Sequence, residues 1–179
     1  ILDNPLAYSW SVQGVGLLRL YIRDIGRLHI WDSALRYPGV SMIHNHSWDL
    51  SSVVIAGRLV NTRFHAASSG DIYNGQRLVT GYHTRTVTEL APTVLLADNA
   101  EIYGPGDTYR QLRHEIHRTD AEDGTVTLMA RKEDENGEAD VYWPQGTEWG
   151  TAKPRAATSD EVTRTVAKAL DALRTFLVR

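Results

Sequence analysis

The sequence predicts an all-β domain that ends in a single α-helix. Between residues 15 and 131, short runs of β-branched and aromatic residues alternate with turns made of glycine, asparagine, aspartate and proline. Such regularly punctuated short strands are typical of a β-sandwich or a β-barrel. From residue 158 onward the apolar residues instead recur at three- and four-residue steps, as in a helix with one buried face.

The strands are predicted in order from the turns between them. Pro38-Gly39 and Gly104-Pro105-Gly106 mark loops, and Asn74-Gly75 and Asp123-Gly124 are two-residue hairpin signals. The runs predicted to be strands are 15–23, 27–31, 51–56, 58–64, 77–82, 85–90, 92–96 and 125–131.

The C-terminal part is predicted to consist of an irregular segment and a helix. The segment 133–157 is rich in glycine, glutamate, proline and tryptophan, and predicts an irregular wrap anchored by Tyr142, Trp143 and Trp149. Together with the strands it makes one β domain, residues 1–157. Residues 158–179 are the helix of the same domain, and we expect it to pack on the outside of the β body.

Capping and periodicity define this helix. Thr158 and Glu161 have the spacing of a capping box, in which each side chain bonds to the other residue's backbone N–H. The residues expected to form the apolar stripe are Val162, Val166, Leu170, Leu173 and Leu177.

The composition excludes several classes of function. The 179 residues contain no cysteine, which excludes disulfides, zinc ribbons, iron–sulfur clusters and cysteine nucleophiles. A net charge of −3 argues against a nucleic-acid partner, and no apolar run approaches the roughly 18 residues of a membrane span. A chain without cysteine fits any compartment, and the cytoplasm is the default expectation. Any metal chemistry must rest on histidine and carboxylate.

Four of the seven histidines fall in two clusters. His44 and His46 are two residues apart, so on a strand they project from the same face and can chelate one ion. The second cluster holds His114 and His117, and a third imidazole from it would leave open positions for a substrate. The alternative for such a pair is an exposed or hydrogen-bonded pair without a metal. The isolated histidines His29, His65 and His83 are interpreted as strand-surface or core residues.

These clusters resemble the two motifs of the cupin superfamily. The first motif is a glycine, an H-x-H and a trailing glycine, and the second is Gly-Asp followed by a histidine. The matching residues are Gly39, His44, His46 and Gly57 for the first motif, and Gly106, Asp107 and His117 for the second. The resemblance covers residues 15–132. It implies a cupin-type double-stranded β-helix, or jelly-roll barrel, and a homodimer, since cupins commonly exchange strands.

Within this superfamily the sequence is most similar to the three-histidine thiol dioxygenases related to cysteine dioxygenase. Those enzymes hold iron(II) with three histidines and lack the usual cupin glutamate, as here, where Leu50 stands in its place. The resemblance implies an Fe²⁺ site made by His44, His46 and His117, with His114 as the alternative third ligand. Nickel, zinc, manganese and copper are alternative metals.

Three residues are candidates for substrate binding. Tyr21-Ile22-Arg23 resembles the Tyr-x-Arg with which cysteine dioxygenases bind the substrate carboxylate, which implies that role for Tyr21 and Arg23. Arg131 shares a predicted strand face with Thr127 and Met129, where its guanidinium could bind a carboxylate in a bidentate manner. Alternatively, Arg131 marks the exposed end of that strand.

The sequence also departs from the family. Cysteine dioxygenases of the animal type crosslink a cysteine to a tyrosine, and a chain without cysteine cannot form that bond. Their Ser-His-Tyr trio is matched by Thr127, Met129 and Arg131, none of which could relay a proton as proposed for the trio. The resemblance therefore supports the metal site more strongly than it supports cysteine as the substrate.

Three functions follow as hypotheses. The first is a mononuclear non-heme iron dioxygenase that combines O2 with a small carboxylate- or thiol-bearing molecule. The second is a metal-assisted isomerase, lyase or epimerase acting on a sugar or hydroxy-acid, in which Tyr109, His114 or Glu115 moves the proton. The third is a cupin that only binds a ligand. Tyr109 and His114 are the candidate catalytic residues.

Overall fold

Two antiparallel sheets and a C-terminal helix are present in the computed structural model, which describes residues 1–80, 85–131, 137–149 and 153–177. The elements in chain order are a 3₁₀ turn (Pro5–Ala7), β1 (Ser11–Gln13), β2 (Val15–Ile22), β3 (Gly26–Arg36), β4 (Ile43–His44), β5 (Leu50–Ala56), β6 (Leu59–Thr80), β7 (Arg85–Ala97), β8 (Glu101–Tyr103), β9 (Thr108–Gln111), β10 (Ile116–Ala121), β11 (Val126–Arg131), β12 (Gly137–Pro144), β13 (Arg155–Ala156) and α1 (Ser159–Leu177).

The first sheet has seven strands in the order β13-β1-β2-β3-β11-β5-β9. The second sheet runs β10-β4-β12-β6-β7, and β8 pairs with β6. The early part of β6 pairs with β10 and its later part with β12, so the two-residue strand β4 lies between β10 and β12. The predicted all-β domain with one C-terminal helix is thereby confirmed.

The first sheet is buried on both of its faces. Even-numbered residues of β2 and β3, such as Leu18 and Ile30, pack in one cluster with the helix residues Val162 and Val166. Side chains alternate across a strand, so the odd-numbered residues of the same strands point to the opposite face, toward the second sheet. This alternation places Arg19, Arg27 and His29 on the face that points to the second sheet.

Two turn predictions have different outcomes. A turn does form at Asp123-Gly124, where Gly124 has a φ of 84°, but it joins β10 and β11, which belong to different sheets. Asn74-Gly75 is not a turn, because both residues lie within β6. A Cβ on Gly75 would come within 3.0 Å of the Tyr142 ring, so close packing explains this glycine.

The segment predicted to be an irregular wrap contains a regular strand. Residues Gly137–Pro144 form β12, which pairs with both β4 and β6 and buries Tyr142. Trp143 and Trp149 stack on each other with ring centroids 4.2 Å apart. The parts of the prediction at 81–84, 132–136, 150–152 and 178–179 lie outside the described residues.

The helix begins where its capping box predicts. Thr158 Oγ1 accepts a hydrogen bond from the Glu161 N–H at 3.3 Å, and the Glu161 carboxylate accepts one from the Thr158 N–H at 2.9 Å. The buried stripe is shorter than predicted at its end, where Leu177 is 78% exposed. No helix among the described residues has the length and apolar character needed to cross a membrane.

A buried carboxylate on β3 fixes this helix to the first sheet. The Asp32 side chain is 0% exposed and accepts hydrogen bonds from Thr165 Oγ1 at 2.8 Å and from Lys168 Nζ at 2.7 Å. Burial alone would raise the pKa of Asp32, but the bonds from Lys168 and Thr165 hold this pKa below its ordinary value. Asp32 is therefore ionised and bound to the helix in the folded protein.

Replacing Asp32 by alanine should lower the free energy of unfolding by about 2–3 kcal/mol, since a buried charged acceptor is lost from two helix donors. Chemical denaturation of the two proteins measures this difference. Asp171→Ala is the control, because Asp171 is 74% exposed in its pair with Arg174 and should contribute less than about 1 kcal/mol. Equal effects of the two substitutions would contradict the role of Asp32.

The same contact makes stability depend on pH. The pKa of Asp32 is lower in the folded than in the unfolded chain, where aspartate titrates near about 3.9. Its stabilisation is thus complete above that value and is lost as the pH falls through the folded-state pKa. The stability difference between wild type and Asp32→Asn should shrink below about pH 4.

Candidate metal centre

Three histidines converge at the end of the second sheet. His44 is the last residue of β4, His46 follows it in the next loop, and His117 on β10 lies directly opposite His44 in the strand pairing. One ring nitrogen from each lies within 4.8 Å of the other two. The structure therefore brings together the three residues that the sequence predicts as metal ligands.

The spacing of two of these nitrogens suits one shared ion. The Nε2 atoms of His46 and His117 are 3.2 Å apart. Two imidazole nitrogens bonded to one ion at about 2.1 Å, with angles between octahedral and tetrahedral, are about 3.0–3.4 Å apart. The His46–His117 pair thus has the spacing of two ligands of one divalent transition metal, and the His44 nitrogen lies within 4.8 Å of both.

Hydrogen bonds on the far side of two rings orient them. His44 Nδ1 lies 3.0 Å from the Met42 carbonyl oxygen, and His117 Nδ1 lies 2.9 Å from Asn61 Oδ1. Both oxygens can only accept, so Nδ1 carries the proton and the Nε2 lone pair is left for a metal. Asn61 Nδ2 in turn donates to Gln111 Oε1 at 3.3 Å, and both of these side chains are fully buried.

The residue between the first two ligands is also fixed. Asn45, which is 3% exposed, accepts a hydrogen bond from the Asp140 N–H at 2.7 Å and donates its own backbone N–H to the Asp140 carbonyl at 2.9 Å. The Asp140 carboxylate accepts two bonds from Arg77, at 2.8 and 3.1 Å. β12 thereby holds the backbone from which His44 and His46 project.

Removal from water keeps the three imidazoles uncharged. Burial lowers the pKa of His44, and it lowers the pKa values of His46 and His117 well below the ordinary value, with a further contribution from the neighbouring histidines. A neutral imidazole is the form that binds metals. The cluster is therefore in its ligating state at neutral pH.

A cavity of about 300 Å³ opens beside the histidines, between the two sheets. Leu50 is part of its wall. The lining residues are Gln13, Gly14, Val15, Leu17, Arg19, Arg27, His29, Trp31, Val40, Met42, His44, His46, Trp48, Leu50, Tyr109, His117, Thr119 and Met129.

One wall of the cavity is basic. The guanidinium groups of Arg19 and Arg27 lie 4.7 and 4.8 Å from the centre of the Tyr21 ring, and that of Arg27 lies 5.6 Å from the Trp48 ring. Trp48 stacks on the His46 ring, with centroids 4.9 Å apart. The Trp48 ring thus lies between the Arg27 guanidinium and His46, one of the predicted metal ligands.

The structure does not place Tyr21 and Arg23 in this cavity. Tyr21 is 56% exposed near the end of β2, and Arg23 lies beyond the strand, in the turn at Asp24, whose φ is 61°. Both line a separate shallow cleft. The arginine of β2 that lines the cavity is Arg19, on the same strand face as Tyr21.

His114 is also outside the cavity. It lies in the turn between β9 and β10 with a φ of 64°, and its side chain is exposed. Its backbone N–H donates to the His46 carbonyl at 2.8 Å, so it supports the ligand loop through its main chain. The His114 ring does not belong to the group of three histidines found in the described part of the chain. The structure therefore does not place it as the third ligand or as an acid–base group.

The remaining predicted site residues have different positions. Tyr109 is 8% exposed and lines the cavity, and burial raises the pKa of its hydroxyl, which keeps the proton on it. The Arg131 side chain and His83 lie outside what the structure describes. His65 is an exposed residue 2.8 Å from Asp98, as expected of a surface histidine.

The basic wall was not predicted from the sequence. Arg19, Arg27 and His29 all line the cavity, although His29 was expected to be an isolated surface or core histidine. A usable signal was present, because Arg27, His29 and Trp31 alternate with Leu28 and Ile30 along one strand. The alternation indicates a polar face, but it does not show that this face is internal.

No family model matches this sequence, and no curated protein matches it. What the protein does has to be inferred from the site itself.

Substituting any of His44, His46 or His117 by alanine should lower the affinity for a divalent transition metal by at least about 100-fold, because each removes one of three ligands. Titration with Co²⁺ in competition with a chelator measures this, together with elemental analysis of the purified protein. His114→Ala is the matched control and should bind metal like wild type. Metal binding unchanged in His117→Ala would contradict the site.

Replacing Asn61 by alanine should weaken metal binding by about 10- to 100-fold, since His117 loses the acceptor that fixes its tautomer and ring orientation. The same Co²⁺ titration measures it. Asn74→Ala, on the same strand but away from the histidines, is the control. An Asn61 variant with wild-type affinity would show that the bond to His117 Nδ1 does not orient this ligand.

Proposed function

We propose that the protein is a metal-dependent enzyme of the cupin type, a mononuclear non-heme iron dioxygenase acting on a small anionic molecule. The observation that carries this proposal is the convergence of three uncharged imidazoles on one point in the wall of a cavity large enough for a small substrate. Three protein ligands leave open positions at a metal, which a catalytic site needs and a structural site lacks.

The donor set fits iron(II). Imidazole binds iron, and the same three nitrogens also suit nickel, zinc, manganese or copper, so metal identity is itself a test. Bound iron(II) would supply a place where O2 and a substrate heteroatom are held next to each other. The resemblance to the three-histidine thiol dioxygenases, with Leu50 in place of the glutamate, supports iron over the other metals.

The charge of the cavity supports an anionic substrate. Arg19 and Arg27 both line it, and no aspartate or glutamate is among its lining residues in the described part of the chain. Guanidinium groups bind carboxylates through paired N–H donors. We assign to Arg19 and Arg27 the carboxylate-binding role that the sequence suggested for Arg23.

The other cavity residues define the surroundings of the reaction. Apolar side chains such as Leu17, Leu50 and Met129 make up much of the wall, which excludes water and strengthens the attraction between the arginines and an anion. Tyr109, whose raised pKa keeps its hydroxyl protonated, can donate a hydrogen bond into the cavity.

The composition of the cavity favours oxidation over the isomerase or lyase hypothesis. Proton transfer at carbon needs a base, and the described lining residues include no carboxylate that could serve. The imidazole of His29, which also lines the cavity, is a weak base because burial and the neighbouring arginines lower its pKa to about 3. Of the bases suggested for that hypothesis, the His114 ring is exposed, and Glu115 already accepts hydrogen bonds from the Gln111 side chain and the Leu112 N–H. Tyr109 keeps its proton because burial raises its pKa, so no phenolate is present to act as a base.

O2 consumption tests the proposed function. Protein loaded anaerobically with Fe²⁺ should consume O2 when mixed with one member of a panel of small thiol-, hydroxy- and amino-carboxylates, and the zinc-loaded protein should not. Oxygen uptake measured with an electrode and product mass give the result. Iron-loaded protein that leaves both O2 and the whole panel unchanged would contradict the proposal.

Arg19→Gln should raise the KM for that substrate by about tenfold or more, with a smaller change in kcat, because a charge-assisted bond to the carboxylate is lost. Steady-state O2 uptake measures both constants. Arg23→Gln is the matched control, since Arg23 is an exposed arginine outside the cavity. If the Arg23 variant shows the larger effect, the carboxylate binds in the other cleft.

A further inference from the structure

A fourth histidine lies in the cavity wall across from the metal centre. His29 is in the middle of β3, two residues from both Arg27 and Trp31, and in the strand pairing it lies opposite Arg19 on β2 and Thr127 on β11. It is 9% exposed and lines the cavity together with the three predicted ligands.

The imidazole of His29 lacks the partners that orient the other buried histidines. Its Nε2 atom is enclosed and has no hydrogen-bond partner among the described residues, whereas His44 and His117 each have an oxygen acceptor on Nδ1. An unpaired polar atom in a protein interior is unfavourable, and native proteins keep such atoms mainly where a ligand or function requires them.

The arginines beside it keep His29 uncharged. Burial, together with the positive charges of Arg27 and Arg19, lowers the pKa of His29 to about 3. A neutral imidazole carries one N–H donor and one lone-pair acceptor, while the guanidinium groups next to it can only donate. His29 therefore adds an acceptor to a wall that otherwise attracts only electron-rich groups.

A purely structural role does not account for this residue. A phenylalanine would fill a similar volume at this place without leaving a ring nitrogen unpaired, and the neighbouring Trp31 Nε1 is likewise buried without a partner. His29 and Trp31 both line the cavity, and each has an enclosed ring nitrogen without a hydrogen-bond partner among the described residues, which favours a bound molecule as the group that completes this strand face.

We propose that His29 binds the substrate directly, accepting a hydrogen bond from a hydroxyl, thiol or amino group that accompanies the carboxylate. This rests on the proposed function, in which Arg19 and Arg27 hold the carboxylate beside it. His29 thus sets specificity: it selects carboxylates that carry a second, proton-donating group over simple carboxylates of the same size.

Two probes that differ by one hydroxyl test this selection. Lactate and propionate are titrated into the zinc-loaded protein, and binding is followed by calorimetry. Wild type should prefer lactate, and His29→Phe should reduce that preference by about fivefold, the value of one neutral hydrogen bond. His29→Gln, which restores an acceptor, should recover most of it, and His65→Phe, a matched change on the surface, should have no effect.

The outcomes separate this proposal from the proposed function. Zinc content should be the same in wild type and in all three variants. Failure of wild type to bind zinc would contradict the metal site, and with it the proposed function. Normal zinc binding with equal affinities for lactate and propionate in wild type would overturn the role of His29 alone. No affinity for either carboxylate would overturn the role of His29 and also contradict the carboxylate-binding role of Arg19 and Arg27.

A second measurement remains decisive if His29→Phe does not fold. In ¹⁵N-labelled, zinc-loaded wild type, the ring nitrogens of His29 should give a neutral-imidazole signal that shifts when lactate saturates the protein. Propionate should shift it much less. A His29 signal that lactate leaves unchanged would show that the imidazole is only a packing residue.

Discussion

The pairing of β4 with β10 is the contact on which the candidate site depends. It places His44 directly opposite His117, and the chain after β4 then brings His46 to within 3.2 Å of the His117 ring. A strand of two residues has few hydrogen bonds of its own, so its position must be fixed from outside. The backbone and side-chain bonds between Asn45 and Asp140 provide that support from β12.

The opposite wall depends on a sheet that is covered on both sides. Because the helix packs on the even-numbered residues of β2 and β3, the odd-numbered residues are free to form the cavity. Asp32, on the strand that carries Arg27 and His29, binds Thr165 and Lys168 of the helix. The helix has no chemistry of its own, yet it holds in place the strand that carries the polar wall.

Features determined by neighbouring residues could be predicted from the sequence, and features determined by strand pairing could not. The capping box and the His-x-His pair depend on a few adjacent positions, and both are present as expected. The bond between His117 and Asn61 joins residues 56 positions apart, and no local pattern reveals it. Asn74-Gly75 shows the converse: a strong local turn signal is overridden because Gly75 packs against a tyrosine on another strand.

The positive charges in the cavity wall support the proposed anionic substrate. Three neutral imidazoles would leave the charge of a bound divalent ion uncompensated, and Leu50 in the cavity wall supplies no carboxylate. Arg19 and Arg27 add two positive charges on the facing wall. In a cavity with many apolar side chains this repulsion is weakly screened, so a bound carboxylate stabilises both walls at once. Metal and anion should therefore bind cooperatively, each raising the affinity for the other.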